Sequence, residues 1–223
     1  QLKATLERRS WHPPEGVGEY ELAAVRFADQ FAVEVSRMSK SEVARLVELA
    51  GHSKVNALAN ATYLVDMTLR LELVVPVLLD PRPGAYDTRW VPGEAGAGAD
   101  ADRSDAVIAG AIADFAAEAV LADGIADLTG ELVRLRCAQI HNCRLCGSLR
   151  QRSALAAGLD ETMVSRVSDW ASADFNTSEK AALGLVDVLT MFPADADRAL
   201  REELHAHFSP AQIAELCLDV VKW

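Results

Sequence analysis

What this sequence lacks narrows its function first. No apolar run reaches the roughly 18 residues of a membrane-spanning helix. The nearest, 73–79, is short and contains Pro76, so no membrane partner is expected. Basic charge is scarce: 22 Lys and Arg stand against 33 Asp and Glu, a net charge of −11. Phosphate backbones are held by clustered Lys and Arg, so nucleic acid is excluded as an expected partner. Cysteine is scarce too, with four in 223 residues, which argues against a secreted disulfide scaffold. No secretory leader pattern is visible, and a cytoplasmic protein is expected. Aromatic residues make up 6% of the chain. The remaining wealth of Ala, Leu, Glu and Arg favours helices over sheets.

The local signals are all helical. Helices are expected over about 20–37, from Ser39 as the cap of a Ser-x-x-Glu box with Glu42, and over 54–75, ending before Pro76. Ser104 reads as the cap of 105–122, and another helix is placed near Glu131 after Thr129-Gly130. Asp160 reads as a cap, and a helix is expected over 178–191. The last begins at Ser209-Pro210-Ala211-Gln212, with cap, N1 proline and box glutamine in place. Between 76 and 104 prolines and glycines gather, which suggests a linker or a flap. The domain reading is an N-terminal helical half (1–80), a Pro/Gly-rich linker (81–103) and a C-terminal helical domain (104–223).

A faint repeat runs through the chain. Residues 21–65 align without gaps to 179–223. Few positions are identical, Glu21/Glu179, Ala23/Ala181, Ala24/Ala182 and Asp29/Asp187 among them, but the apolar positions correspond: Phe27/Leu185, Phe31/Leu189, Leu46/Leu204, Val55/Ile213 and Leu58/Leu216. A tandem duplication of one helical unit accounts for this; so do two similar amphipathic helix pairs. The cysteine segment falls in one copy only.

Three of the four cysteines, Cys137, Cys143 and Cys146, fall within ten residues. On a helix, positions 143 and 146 share a face about one turn apart, roughly 5 Å between Cα atoms, which suits a disulfide. A helix starting near Cys143, with Arg144 and Arg150 close by, would favour the thiolate. A zinc site built from Cys137, His141, Cys143 and Cys146 is the competing reading. Cys137 otherwise reads as a buried small hydrophobe beside Val133 and Ile140, and Cys217 as another beside Ile213 and Val220. Glu131 either favours the dipole at the start of its helix or accepts a proton from a cysteine. His141 either complements a helix C-terminus or serves the cysteines. His12, His52, His205 and His207 are placed on the surface, and Trp170 between helices.

The run Glu131-Leu-Val-Arg-Leu-Arg-Cys-Ala-Gln-Ile-His-Asn-Cys143-Arg-Leu-Cys146 resembles the core of the carboxymuconolactone decarboxylase / alkylhydroperoxidase D (AhpD)-like family. In the redox branch of that family a Glu precedes the first Cys by twelve positions, as Glu131 does here. The resemblance extends from about 128 to 189, through the Ala-rich stretch before Gly158. It implies an all-α bundle, a homo-oligomer and a thiol-dependent peroxidase or disulfide oxidoreductase. By the same resemblance Cys146 attacks a hydroperoxide, Cys143 resolves the sulfenic acid, Glu131 anchors a proton relay, and a lipoyl or thioredoxin-like dithiol restores the thiols. No cofactor or metal is implied. A His four residues after the second Cys is usual; this sequence has Arg150, which holds its charge and relays no proton. On a continuous helix Arg150 would share the sulfurs' face and act on them electrostatically. A lactone-decarboxylase-like lyase and a non-catalytic redox sensor are the alternatives.

Overall fold

The computed structural model describes residues 16–79 and 101–223, with side chains from 106 onward in the second stretch. His12 and residues 81–100 of the expected linker lie outside the described residues. All regular structure among the described residues is helical, as the composition predicts. The helices are α1 (Glu19–Glu34), α2 (Lys40–Leu79), α3 (Ala101–Leu121), α4 (Asp127–Ile140), α5 (Arg144–Ser148), α6 (Arg152–Ala156), α7 (Glu161–Arg166), α8 (Thr177–Met191), α9 (Arg198–His205) and α10 (Pro210–Val221). No described helix is long and apolar enough to cross a membrane.

Several boundaries differ from the sequence reading, each for a physical reason. α2 runs through Pro76 to Leu79. The proline removes one N–H near the helix end, while Val74 and Leu78 on either side are wholly buried; that burial, about 1.5–3 kcal/mol per side chain, offsets the lost hydrogen bond. α2 is broken instead at Gly51, whose φ of 80° is open to glycine at little strain. α3 begins at Ala101, so Ser104 lies inside it. α4 begins at Asp127 behind Ala126, which offers no side-chain cap. The start was therefore invisible to cap-based reasoning, and Glu131 lies in the second turn, not at the helix opening. The predicted caps at Asp160 and Ser209 are in place: Asp160 accepts the Met163 N–H, and Ser209 and Gln212 form a reciprocal capping box. α8 carries a second box, Asn176 with Glu179.

The chain forms two compact units, one ending at Ala59 and one spanning Asn60–Trp223. The division falls inside α2, since residues 60–79 contribute Val74 and Leu78 to the core of the second unit. In the first unit α1 and the start of α2 close around Phe27, Leu46 and Val55.

In the second unit α4 is buried on nearly every side. Val133 and Cys137 face a core shared with α8, α9 and α10, while Leu132 and Leu135 face a smaller one with Ala154, Leu159, Val167 and Phe175. α4 is thus a central post, and the segment following it continues from a buried element.

The repeat extends to secondary structure. Shifted back by 158 residues, α8 covers 19–33, the span of α1. The 3-10 turn Pro193–Asp195 falls on the 3-10 turn Val35–Arg37, and the start of α9 at Arg198 falls on the start of α2 at Lys40. The following residues, Met38 and Ala196, have φ/ψ of −55/121° and −57/122°. Ser39 and Asp197 each accept the N–H three residues on. Phe27, Leu46 and Val55 are the core of one unit, and their counterparts Leu185, Leu204 and Ile213 are buried in the other. The two segments thus share a 3-10 turn and a side-chain cap at matching positions, as a duplication of one helical unit would leave them.

Candidate functional site

α4 ends in a tight reversal. The His141 N–H donates to Cys137 O, the Asn142 N–H to Gln139 O and the Cys143 N–H to Ala138 O, at 2.9, 3.1 and 2.8 Å. Asn142 takes φ 50°, a left-handed conformation that Asn tolerates better than most residues. The turn delivers Cys143 to the N-cap of α5, where its Sγ accepts the Cys146 N–H at 3.2 Å. Cys143 and Cys146 are joined as a disulfide, with Cα atoms 5.3 Å apart, the separation expected for residues one helical turn apart. Both are half-buried.

Beneath the disulfide lies a buried ion pair. Glu131 and Arg134, exposed to 0% and 4%, stand one turn apart on α4. Arg134 donates Nε–H to Glu131 Oε2 and Nη2–H to Oε1, both at 2.7 Å. The same guanidinium donates to Cys146 O at 2.6 Å and to Leu149 O at 2.8 Å. Glu131 Oε1 also accepts the Gln151 N–H at 3.1 Å. A five-residue helix has almost no stability of its own; here one ion pair fastens α5 by its last carbonyls and α6 by its leading N–H. Trp223 lies across the guanidinium, 5.9 Å from Cζ to ring centroid. Arg134 was not singled out from the sequence. The only signal was its opposite charge three residues from Glu131; its other acceptors lie 12 and 15 residues away and are brought near only by the fold.

Arg150 is placed differently from the sequence reading. α5 stops at Ser148 and Leu149 is extended, so no single helix carries both cysteines and Arg150. Its guanidinium instead pairs with Glu161 through two hydrogen bonds of 3.0 Å and donates to Gly147 O and Leu149 O at 2.7 Å each. The hydrogen bond from Arg150 holds the Glu161 carboxyl below its usual range.

His141 ends α4, half-buried. Burial and then the nearby Arg70 charge lower its pKa, against a smaller opposing pull from Asp66. Arg70 is held by Asp66 at 2.7 Å and by the α8 carbonyls of Leu189 and Thr190.

Cys137 and Cys217 are free thiols in the core, and burial pushes both up to about 12. With Cys143 and Cys146 bonded to each other and Cys137 turned to Val220 O, the four-ligand zinc reading is not assembled. Among the described residues no group of three His, Cys, Asp or Glu side chains is placed to hold a metal ion. Trp170 packs beside Leu183 and donates to Asp187 at 3.0 Å, and Asp187 also pairs with Arg136. His52, His205 and His207 are exposed, and His205 bonds Leu78 O at 2.9 Å.

No family model matches the chain, and no solved structure does. Two proteins of Mycobacterium tuberculosis match it: uncharacterized protein Rv2313c of strain H37Rv and uncharacterized protein MT2376 of strain CDC 1551. Each is 32% identical over 203 residues, which cover 91% of this chain and 69% of the relative. The chain belongs to their family. Neither relative's name states an activity.

Proposed function

We propose that the protein is a thiol-dependent oxidoreductase that reduces hydroperoxides by cycling Cys143 and Cys146 between dithiol and disulfide. The observation that carries this reading is the half-exposed disulfide set on a short helix and held from below by the Glu131–Arg134 ion pair. A structural crosslink between residues three apart closes too small a loop to stabilise much, whereas a redox pair needs this proximity.

In the reduced state the Cys146 thiolate attacks the terminal oxygen of a hydroperoxide. The O–O bond breaks, the alcohol leaves after taking a proton, and Cys146 becomes a sulfenic acid. The Cys143 thiolate displaces hydroxide from that sulfur, which leaves as water, and the disulfide is restored. A dithiol such as a lipoyl group or a thioredoxin-like protein then supplies two electrons. The short helix keeps the sulfurs within bonding distance throughout, and the Cys146 N–H aimed at Cys143 favours its thiolate. Glu131 is engaged by Arg134 and Gln151, which supports a positioning role more than that of a mobile base. His141, two residues before Cys143, is the imidazole in the sequence nearest the pair and the candidate proton acceptor. A cytoplasmic homo-oligomer resembling the AhpD-like family completes the reading.

Arg150 supports a second reading. With its guanidinium committed to Glu161, no relay passes through the position where the resembled family carries His, and a redox sensor that exchanges disulfides without turning over peroxide fits that loss. Peroxide consumption with a dithiol as the final reductant separates the two. Sustained turnover supports the peroxidase, and a single stoichiometric oxidation the sensor; no oxidation of Cys143 or Cys146 refutes both.

A further inference from the structure

The segment that carries the disulfide differs in charge from the rest of the chain. The chain carries −11 overall, yet 132–159 contain no Asp or Glu and five arginines. Three of these are neutralised by carboxylates: Arg134 by Glu131, Arg136 by Asp187 and Arg150 by Glu161. Arg144, between the cysteines, and Arg152, at the start of α6, are exposed and have no carboxylate partner among the described residues. Beside them three leucines project into solvent: Leu145 at 71% exposure, Leu149 at 56% and Leu155 at 49%. Exposed apolar side chains beside arginines with no carboxylate partner have the anatomy of a protein interface, while small ligands prefer concave sites.

We propose that this face docks the protein's reductant, an acidic protein segment that carries a dithiol beside apolar residues. The proposal rests on the redox reading above. Charge complementarity selects the occupant: Arg144 and Arg152 attract carboxylates and repel basic segments, which raises encounter rates and sets register. Exchange proceeds when a partner thiolate attacks one sulfur of the Cys143–Cys146 bond. That bond breaks, a mixed disulfide forms and the other cysteine leaves as thiolate. The second partner thiol, after losing its proton to solvent, displaces the protein sulfur. The partner ends as a disulfide, and the two protein cysteines have gained two electrons.

The test uses the full chain and two synthetic dithiol peptides, identical except that leucines flanking the cysteine pair alternate with glutamate in one and with lysine in the other. The rate of Cys143–Cys146 reduction is measured for each, with dithiothreitol as reference. At low salt the glutamate peptide is expected to react roughly tenfold or more faster than the lysine peptide, within the range of electrostatic steering. Raising the salt to about 0.5 M, where the screening length is only about 4 Å, should remove most of that ratio. The double variant Arg144→Gln/Arg152→Gln should remove it at any salt. Equal rates for both peptides, with dithiothreitol still effective, overturn the docking proposal and leave the redox reading standing. A disulfide that resists dithiothreitol overturns both. A smaller oligomer by light scattering in the double variant, with no peptide preference in the parent, assigns the face to a second copy of the chain and overturns the proposal.

Discussion

Arg134 reaches back one turn to grip both carboxylate oxygens of Glu131, and reaches upward with the same guanidinium to the carbonyl of Cys146. One side chain thus joins the most buried charge near the site to the backbone of a disulfide-bonded residue. Arg134→Met leaves the Glu131 carboxylate buried opposite the Gln151 N–H alone, and breaking such a pair costs about 3–5 kcal/mol. The double variant Glu131→Gln/Arg134→Met, with no stranded charge, should be the more stable of the two. Chemical denaturation of the reduced proteins measures both. A loss below about 1 kcal/mol for Arg134→Met would show that the pair is dispensable.

The four cysteines should divide cleanly by reactivity. Cys137 and Cys217 lie in the core with thiols pushed up to about 12, so neither should react with an alkylating reagent in the native protein. Native thiol counting should give none before a dithiol reductant and two after it. Full reaction of four thiols should appear only in denaturant. A native thiol detected before reduction contradicts the burial of Cys137 or Cys217.

Within the reactive pair the roles should be unequal. Cys146→Ser should abolish the first reaction with peroxide. Cys143→Ser should retain it and accumulate a sulfenic acid or a mixed disulfide with added thiol. Mass spectrometry after one equivalent of peroxide distinguishes them. An inert Cys143→Ser protein with a reactive Cys146→Ser protein reverses the assignment.

Features written in short-range chemistry were legible in the sequence: the caps at Asp160 and Ser209, the one-turn spacing of Cys143 and Cys146, and the apolar stripes that bury Cys137 and Cys217. Features that depend on what the fold brings near were not. Arg134 looked like one more helix arginine because its carbonyl acceptors belong to the next helix. Arg150 looked like a neighbour of the sulfurs because helix periodicity was carried past Ser148, where the backbone becomes extended. Pro76 looked like a helix stop because the burial of Val74 and Leu78 that outweighs it is tertiary. The repeat lay between these cases. Its identities are few, while the turn at Val35–Arg37 and its counterpart at Pro193–Asp195 share a geometry that only the structure displays.

That shared geometry makes a matched pair of cap variants informative. Ser39 and Asp197 occupy equivalent positions and accept the Glu42 and Leu200 N–H groups at 3.4 and 2.9 Å. Ser39→Ala and Asp197→Ala should each cost about 1 kcal/mol, with the larger loss at Asp197, whose bond is shorter and charge-assisted. Equilibrium denaturation of the two single variants checks the order, and a larger loss at Ser39 contradicts it.

His141 should couple stability to pH in a direction its surroundings dictate. Burial, then the Arg70 charge, lowers its folded pKa from the ordinary 6.5, with Asp66 opposing. In the unfolded chain the imidazole titrates near its ordinary value. Between the two pKa values the unfolded state therefore binds more protons, and stability rises with pH across that window. The contribution is neutral above the unfolded value. It becomes a growing penalty as pH falls through about 6.5 and levels off below the folded value. Carboxylates also titrate on acidification, so the comparison has to be made against His141→Gln, which shares every other group. The parent should lose more stability than the variant between about pH 7.5 and pH 5. Equal losses would mean that the imidazole titrates as freely in the folded protein as in the unfolded chain. That result would contradict the placing of His141 in a buried site beside Arg70.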